Sequence, residues 1–231
     1  MTSNQTVRRS RLRRAVLAAV AALLPAAGCS LDLKNPNAPS EEEVITTIDG
    51  IITLAVGLQS QYADNVNIFV RAPSLTTDEW GTRPIALASD VSLVTGNPDP
   101  SFISVTEPFT AAYRLARTAN ILIASAPGVG LAPGFRAGVT SLSKLLKGMA
   151  LGHLYMQYER LPADAGEAAV PQPRAEVLDS VIALLEAARA DIAGVSDADL
   201  AGFRTRVLGT GFDLRNTIDA MLARYYLLDG R

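Results

Sequence analysis

The chain is poor in the residues that most often carry chemistry. Among 231 residues there is one cysteine, one histidine and one tryptophan, and aromatics make up only 6%. A lone cysteine excludes an internal disulfide, and one Cys with one His cannot assemble a His/Cys zinc centre. Charge of one sign is lacking too: 21 Lys and Arg stand against 23 Asp and Glu, a formal net of −2. That balance gives no general attraction to nucleic acid, which is not expected as a partner. No Gly-x-Ser-x-Gly, His-Glu-x-x-His or P-loop motif occurs, so no enzyme, cofactor or metal site is expected.

Hydrophobic residues make up 48% of the chain and mean hydropathy is +0.20, but the apolar excess is unevenly placed. Arg8, Arg9, Arg11, Arg13 and Arg14 precede an unbroken apolar run from Ala15 to Leu24, followed by Pro25-Ala26-Ala27-Gly28-Cys29. A basic segment, a short apolar segment and small residues form a secretory signal. A run of ten is too short for a spanning helix, which needs about 20 residues. The only cysteine follows Ala-Ala-Gly directly, as in the lipobox of bacterial lipoproteins, with Ala26 where Leu is usual. Cys29 is therefore the expected lipid attachment point, and its acyl chains would anchor the protein at a membrane. Ser30, rather than Asp, after the cysteine favours sorting to the outer membrane. Removing residues 1–28 takes away five positive charges and no negative ones, leaving 16 basic against 23 acidic residues and a net of −7.

The expected organisation is a signal peptide at 1–28, a tether at 29–40 rich in Pro and Asn, and a helical domain at 41–231. Ser40 and Glu43 form a capping box, and Val44, Ile48, Ile51, Ile52, Ala55 and Tyr62 recur at helical spacing. They predict a helix over 41–64, with Gly50 and Gly57 tolerated inside it. Residues 65–105 hold four prolines and the lone Trp and read as a long irregular loop, with a short extended piece at Asn67–Val70. Apolar stripes then predict helices near 107–125, 134–159, 174–193, 197–207 and 213–229. Gly194 is the expected stop of the third of these, and Ser196 the cap of the fourth. No series of period-2 strands is present. The fold class is mostly α, built from antiparallel helix pairs. Ala150-x3-Leu154 before Pro162, and Ala220, Ala223, Tyr226 and Gly230, give a tetratricopeptide-like small–large pattern without a clean 34-residue register.

Several of these segments, taken in order, resemble one family. Leu31-Asp32-Leu33-Lys34-Asn35-Pro36-Asn37 follows the lipobox. Pro108-Phe109-x3-Tyr113-Arg114-x5-Asn120 is similar to an aromatic-x3-Tyr-x6-Asn helix, with Phe109 where Trp is more usual. Lys147 to Tyr155 followed by Leu161-Pro162, then Val177–Ile192 and Ile218–Arg231, complete the set. The order and spacing resemble SusD/RagB-type nutrient-uptake lipoproteins of the bacterial outer membrane. The resemblance implies capture of an oligosaccharide or peptide ligand and its delivery to a TonB-dependent, SusC-like transporter, without catalysis. Family members are usually much longer, so the chain is expected to correspond to their N-terminal part.

In such a site aromatic rings stack on sugar faces while polar groups bond the hydroxyls. The segment Thr76 to Arg83 holds Trp80 among hydrogen-bonding groups, so Asp78, Glu79, Trp80 and Arg83 are the candidate ligand-binding residues. The competing expectation is that Trp80 fills the helical core and the charges are solvated. Asn120 is expected to bond a neighbouring loop, His153 to be a satisfied core residue, and Tyr155, Tyr158, Tyr225 and Tyr226 to be packing groups. Glu41–Glu43 fit the negative charge favoured at a helix start. A helical lipoprotein that scaffolds a protein partner is the alternative.

Overall fold

The computed structural model describes residues 40–166, 168–209 and 211–230. The segments expected to be a signal peptide and, up to residue 39, a tether, with Cys29, lie outside the described residues. The elements are α1 (Glu41–Ile45), α2 (Ile48–Thr76), α3 (Ala88–Val94), α4 (Ile103–Ser125), α5 (Pro133–Tyr155), β1 (Arg160–Leu161), β2 (Gln172–Pro173), α6 (Arg174–Ile192), α7 (Asp197–Phe203) and α8 (Leu214–Asp229). A 3-10 turn at Ala126–Gly128 follows α4, and a π turn at Arg204–Leu208 follows α7. The protein is mostly helical.

The helix expected over 41–64 divides at Thr46-Thr47. The Thr47 hydroxyl accepts the Gly50 amide at 3.1 Å and so caps α2, as a threonine at this position does. A Cβ on Gly50 would sit 2.0 Å from the Val44 carbonyl oxygen. The tight corner between α1 and α2 therefore requires Gly50 rather than tolerating it.

The irregular stretch expected over 65–105 needs the larger correction. α2 continues through Pro73 to Thr76, Asn67–Val70 is helical, and α3 occupies 88–94. Proline has no N–H and leaves the carbonyl four residues earlier without its helical donor. That carbonyl belongs to Phe69, and the Gln157 side-chain amide donates to it at 3.1 Å. Burial of Phe69, Ser74 and Leu75 holds this end of α2 in place. Asp78, at φ 60, then turns the chain away, a conformation Asp adopts more readily than most residues.

Ser141 meets the Ala188 carbonyl, and Gly148 meets Val181, so α5 and α6 run antiparallel. Arg189 with Asp219 and Glu186 with Tyr226 give the same sense for α6 and α8. α5 is the central element, touching α2, α4, α6, α7 and α8. Most of its side chains are buried, including Leu142, Leu145, Leu151 and Leu154. A helix apolar on nearly every face belongs in a core of this kind. Two of its glycines admit neighbours into the space of a side chain. A Cβ on Gly138 would lie 2.4 Å from the Phe203 ring, and one on Gly152 would lie 1.9 Å from the Tyr225 hydroxyl.

β1 and β2 pair antiparallel, Arg160 opposite Pro173 and Leu161 opposite Gln172, and close the loop between α5 and α6. α5 ends at Tyr155, so Met156, expected on its stripe, lies beyond it and is 48% exposed. α6 ends at Ile192 with Ala193 right-handed and Gly194 not at positive φ, so Gly194 is no left-handed cap. Gly230, at φ 79, is one for α8. Ser196 caps α7 as expected, accepting the Asp199 amide at 3.2 Å. Glu41–Ile45 through α8 belong to one compact unit, Glu41–Arg231.

Candidate functional site

Trp80 is 42% exposed and does not fill the core. Its amide donates to the Ser74 carbonyl at 2.9 Å, which fixes the residue against the end of α2. Beside it lies an open groove of about 430 Å³ between α2 and the segment that leads into α3. Asn67, Arg71 and Leu75 form one wall, spaced four apart on one face of α2, as helical geometry requires. Trp80, Thr82, Arg83, Ile85 and Asp90 contribute the rest of the lining used here.

Arg71 pairs with Asp90 at 2.6 Å, with their side chains only 26% and 14% exposed. The contact uses one carboxylate oxygen. The other, Oδ1, is buried and has no partner among the described residues. A buried acceptor in that state is costly unless a donor reaches it. The groove thus combines a half-exposed indole, two guanidinium groups, an asparagine, a threonine and a carboxylate. This set can stack on an apolar ring face and exchange hydrogen bonds with hydroxyls.

Of the four residues proposed from the sequence, Trp80 and Arg83 come together in this groove. Asp78 and Glu79 do not line it. Asp78 is exposed at the turn, and Glu79 accepts a long bond, 3.4 Å, from the Ser74 hydroxyl. Asn67, Arg71 and Asp90 were missed. The available signal was their spacing: once 65–76 is read as helix, 67, 71 and 75 share a face.

Lys147, Asn120 and Asp164 hold neighbouring elements together. Lys147, with 6% of its side chain exposed, donates to Asn120 Oδ1 at 2.8 Å and pairs with Asp164 at 2.7 Å. Asn120 in turn donates to Asp164 at 2.8 Å, so it bonds a neighbouring loop as expected. Burial pushes the Asp164 carboxyl up, but the bonds from Asn120 and Lys147 outweigh it and hold it below the usual range. Tyr113 donates to the Pro162 carbonyl at 2.6 Å. Together these contacts clamp the loop after β1 onto α4 and α5.

His153 is packed as a core residue. Its ring stacks on Phe69 at 4.9 Å, and its Nε2 lies 3.1 Å from the Tyr62 hydroxyl. Burial first, then the nearby Arg224 charge, pushes its pKa down to about 4. Burial pushes Tyr62 and Tyr225 up to about 12. The imidazole is neutral at physiological pH and has a hydrogen-bond partner.

Among the described residues no group of three or more His, Cys, Asp and Glu is placed to hold a metal ion, and no helix is long and apolar enough to cross a membrane. No family model, curated protein or solved structure matches the chain.

Proposed function

We propose that the protein is a lipid-anchored, outer-membrane binding protein that captures an oligosaccharide in the Trp80 groove and passes it to a TonB-dependent, SusC-like transporter. Cys29 carries the lipid, and the chain performs no catalysis. The observation that carries this reading is the half-exposed indole of Trp80 set beside the Arg71–Asp90 pair. A sugar ring face lies on the indole while its hydroxyls bond the polar side chains of the lining, Asn67, Thr82 and Arg83. The ordered resemblance to SusD/RagB-type lipoproteins supports the same assignment, and tetratricopeptide-like helix pairing is consistent with it. Trp80 and Arg83 are the sequence-derived residues retained for the ligand; Asn67, Arg71 and Asp90 join them.

The test is titration calorimetry of the full chain against a panel of neutral oligosaccharides. One of them binds, and Trp80→Ala lowers its affinity about tenfold or more, the scale of one stacked aromatic with its buried area. A panel with no binder removes the reading.

A second reading, a scaffold for a protein partner, is favoured by Ile85, which is 97% exposed, with Leu87 beside it at 56%. Apolar side chains so exposed mark protein contact surfaces when they cluster. Copurification with an outer-membrane barrel, in the absence of any glycan affinity, selects it.

A further inference from the structure

A second concavity, of about 440 Å³, opens on a different face of the end of α2, at Ala72, Pro73 and Thr76 rather than Arg71 and Leu75. It shares no lining residue with the Trp80 groove. Its size suits a small organic ligand. Pro73, Leu93, Pro98, Val105, Met156 and Tyr158 supply an apolar wall, and no charged side chain lines it among the described residues.

Most of its polar groups are already engaged. The Thr76 and Thr77 hydroxyls donate to helix carbonyls, the Tyr158 hydroxyl to the Val105 carbonyl, and the Gln157 amide to Phe69 and His153. Ser104 differs. The residue is 3% exposed, and its hydroxyl has no partner among the described residues. It stands in the first turn of α4, which has neither an acidic residue nor a side-chain cap. A helix start of this kind favours an acceptor oxygen. A carboxylate would enter without a cation in the lining, at the cost of burying an unpaired charge. A neutral carbonyl meets both conditions.

We propose that this pocket binds a neutral, mainly apolar molecule with one carbonyl oxygen, which accepts a hydrogen bond from Ser104. The hydroxyl is covered as it stands, and one torsion, χ1, decides where it points, so a rotamer change lets it reach the entering oxygen. Met156, half-exposed at the mouth, supplies the adaptable edge.

The probe is 6-propionyl-2-(dimethylamino)naphthalene, which is neutral and apolar, carries one carbonyl, and changes emission on burial and hydrogen bonding. With the full chain it binds saturably, one per chain. Ser104→Ala retains the parent's circular dichroism, weakens binding about threefold to tenfold, the scale of one hydrogen bond, and shifts the bound emission to the blue. Met156→Trp, a change at an exposed position, weakens binding further by closing the mouth. The anionic anilinonaphthalenesulfonate does not displace the probe. Trp80→Ala leaves probe binding unchanged, so this result stands apart from the oligosaccharide assignment. Binding that never saturates at one per chain, or a Ser104→Ala curve that superimposes on the parent's, overturns the proposal.

Discussion

The ionisation of His153 is tied to the fold, because its ring is enclosed by Phe69 and Tyr62 with Arg224 nearby. Its pKa of about 4 lies below the ordinary value of 6.5. Between those values the unfolded chain binds the proton and the folded chain does not, so stability falls as pH drops from 6.5 toward 4. Above pH 6.5 the residue contributes no pH dependence. The gap corresponds to roughly 3 kcal/mol over that window. Urea unfolding of the parent and of His153→Gln at several pH values measures it: the parent loses stability on acidification through the window, and the variant loses less. Equal slopes contradict this account of the ring. At this scale much was legible in the sequence. A lone His in an apolar helix, and an Asn that must find a partner, both read as structural groups. The Lys147–Asp164 pair was not legible, because the two positions lie on separate elements and meet only through the fold.

At the scale of elements, Pro73 is the instructive position. Read locally, a proline in a polar stretch predicts a helix end, and 65–105 accordingly reads as irregular. The helix continues because a side chain 88 positions away replaces the missing donor at Phe69. No local pattern contains that information. The exchange predicts a coupling. Gln157→Ala costs about 1 kcal/mol in the parent, where the Phe69 carbonyl loses its donor. In a Pro73→Ala background the same change costs less, because the residue 73 amide now supplies the bond. Thermal or urea denaturation of the four proteins gives the coupling directly, and strict additivity contradicts the account. The same misreading concealed half of the groove. Asn67, Arg71 and Leu75 become a wall only when 67–75 is helical, whereas Trp80 was visible without any structure as the single Trp in an irregular segment. The helices with unbroken apolar stripes, α4, α5, α6 and α8, were legible because burial sets their spacing.

For the molecule as a whole, α5 is the centre and residues 77–102 are peripheral. Local stability follows burial and contact, so amide hydrogen exchange should be slowest in the middle of α5, around Leu142–Leu151, and fastest in 77–87 and 95–102. Protection of the latter segments equal to that of α5 contradicts the fold as described. The arrangement also has a functional sense. The groove proposed for the ligand lies where a helix, α2, meets the irregular segment around Trp80.

Because Trp80 is the only tryptophan, tryptophan emission excited beyond the tyrosine absorption band reports on the groove alone. Titration of the full chain with neutral oligosaccharides, with acrylamide quenching measured at each point, therefore tests the proposed function most directly. The account predicts that one oligosaccharide produces a saturable blue shift and lowers the quenching of Trp80 as the sugar covers the indole. If every oligosaccharide at millimolar concentration leaves both the emission maximum and the quenching unchanged, the Trp80 groove is not a sugar site.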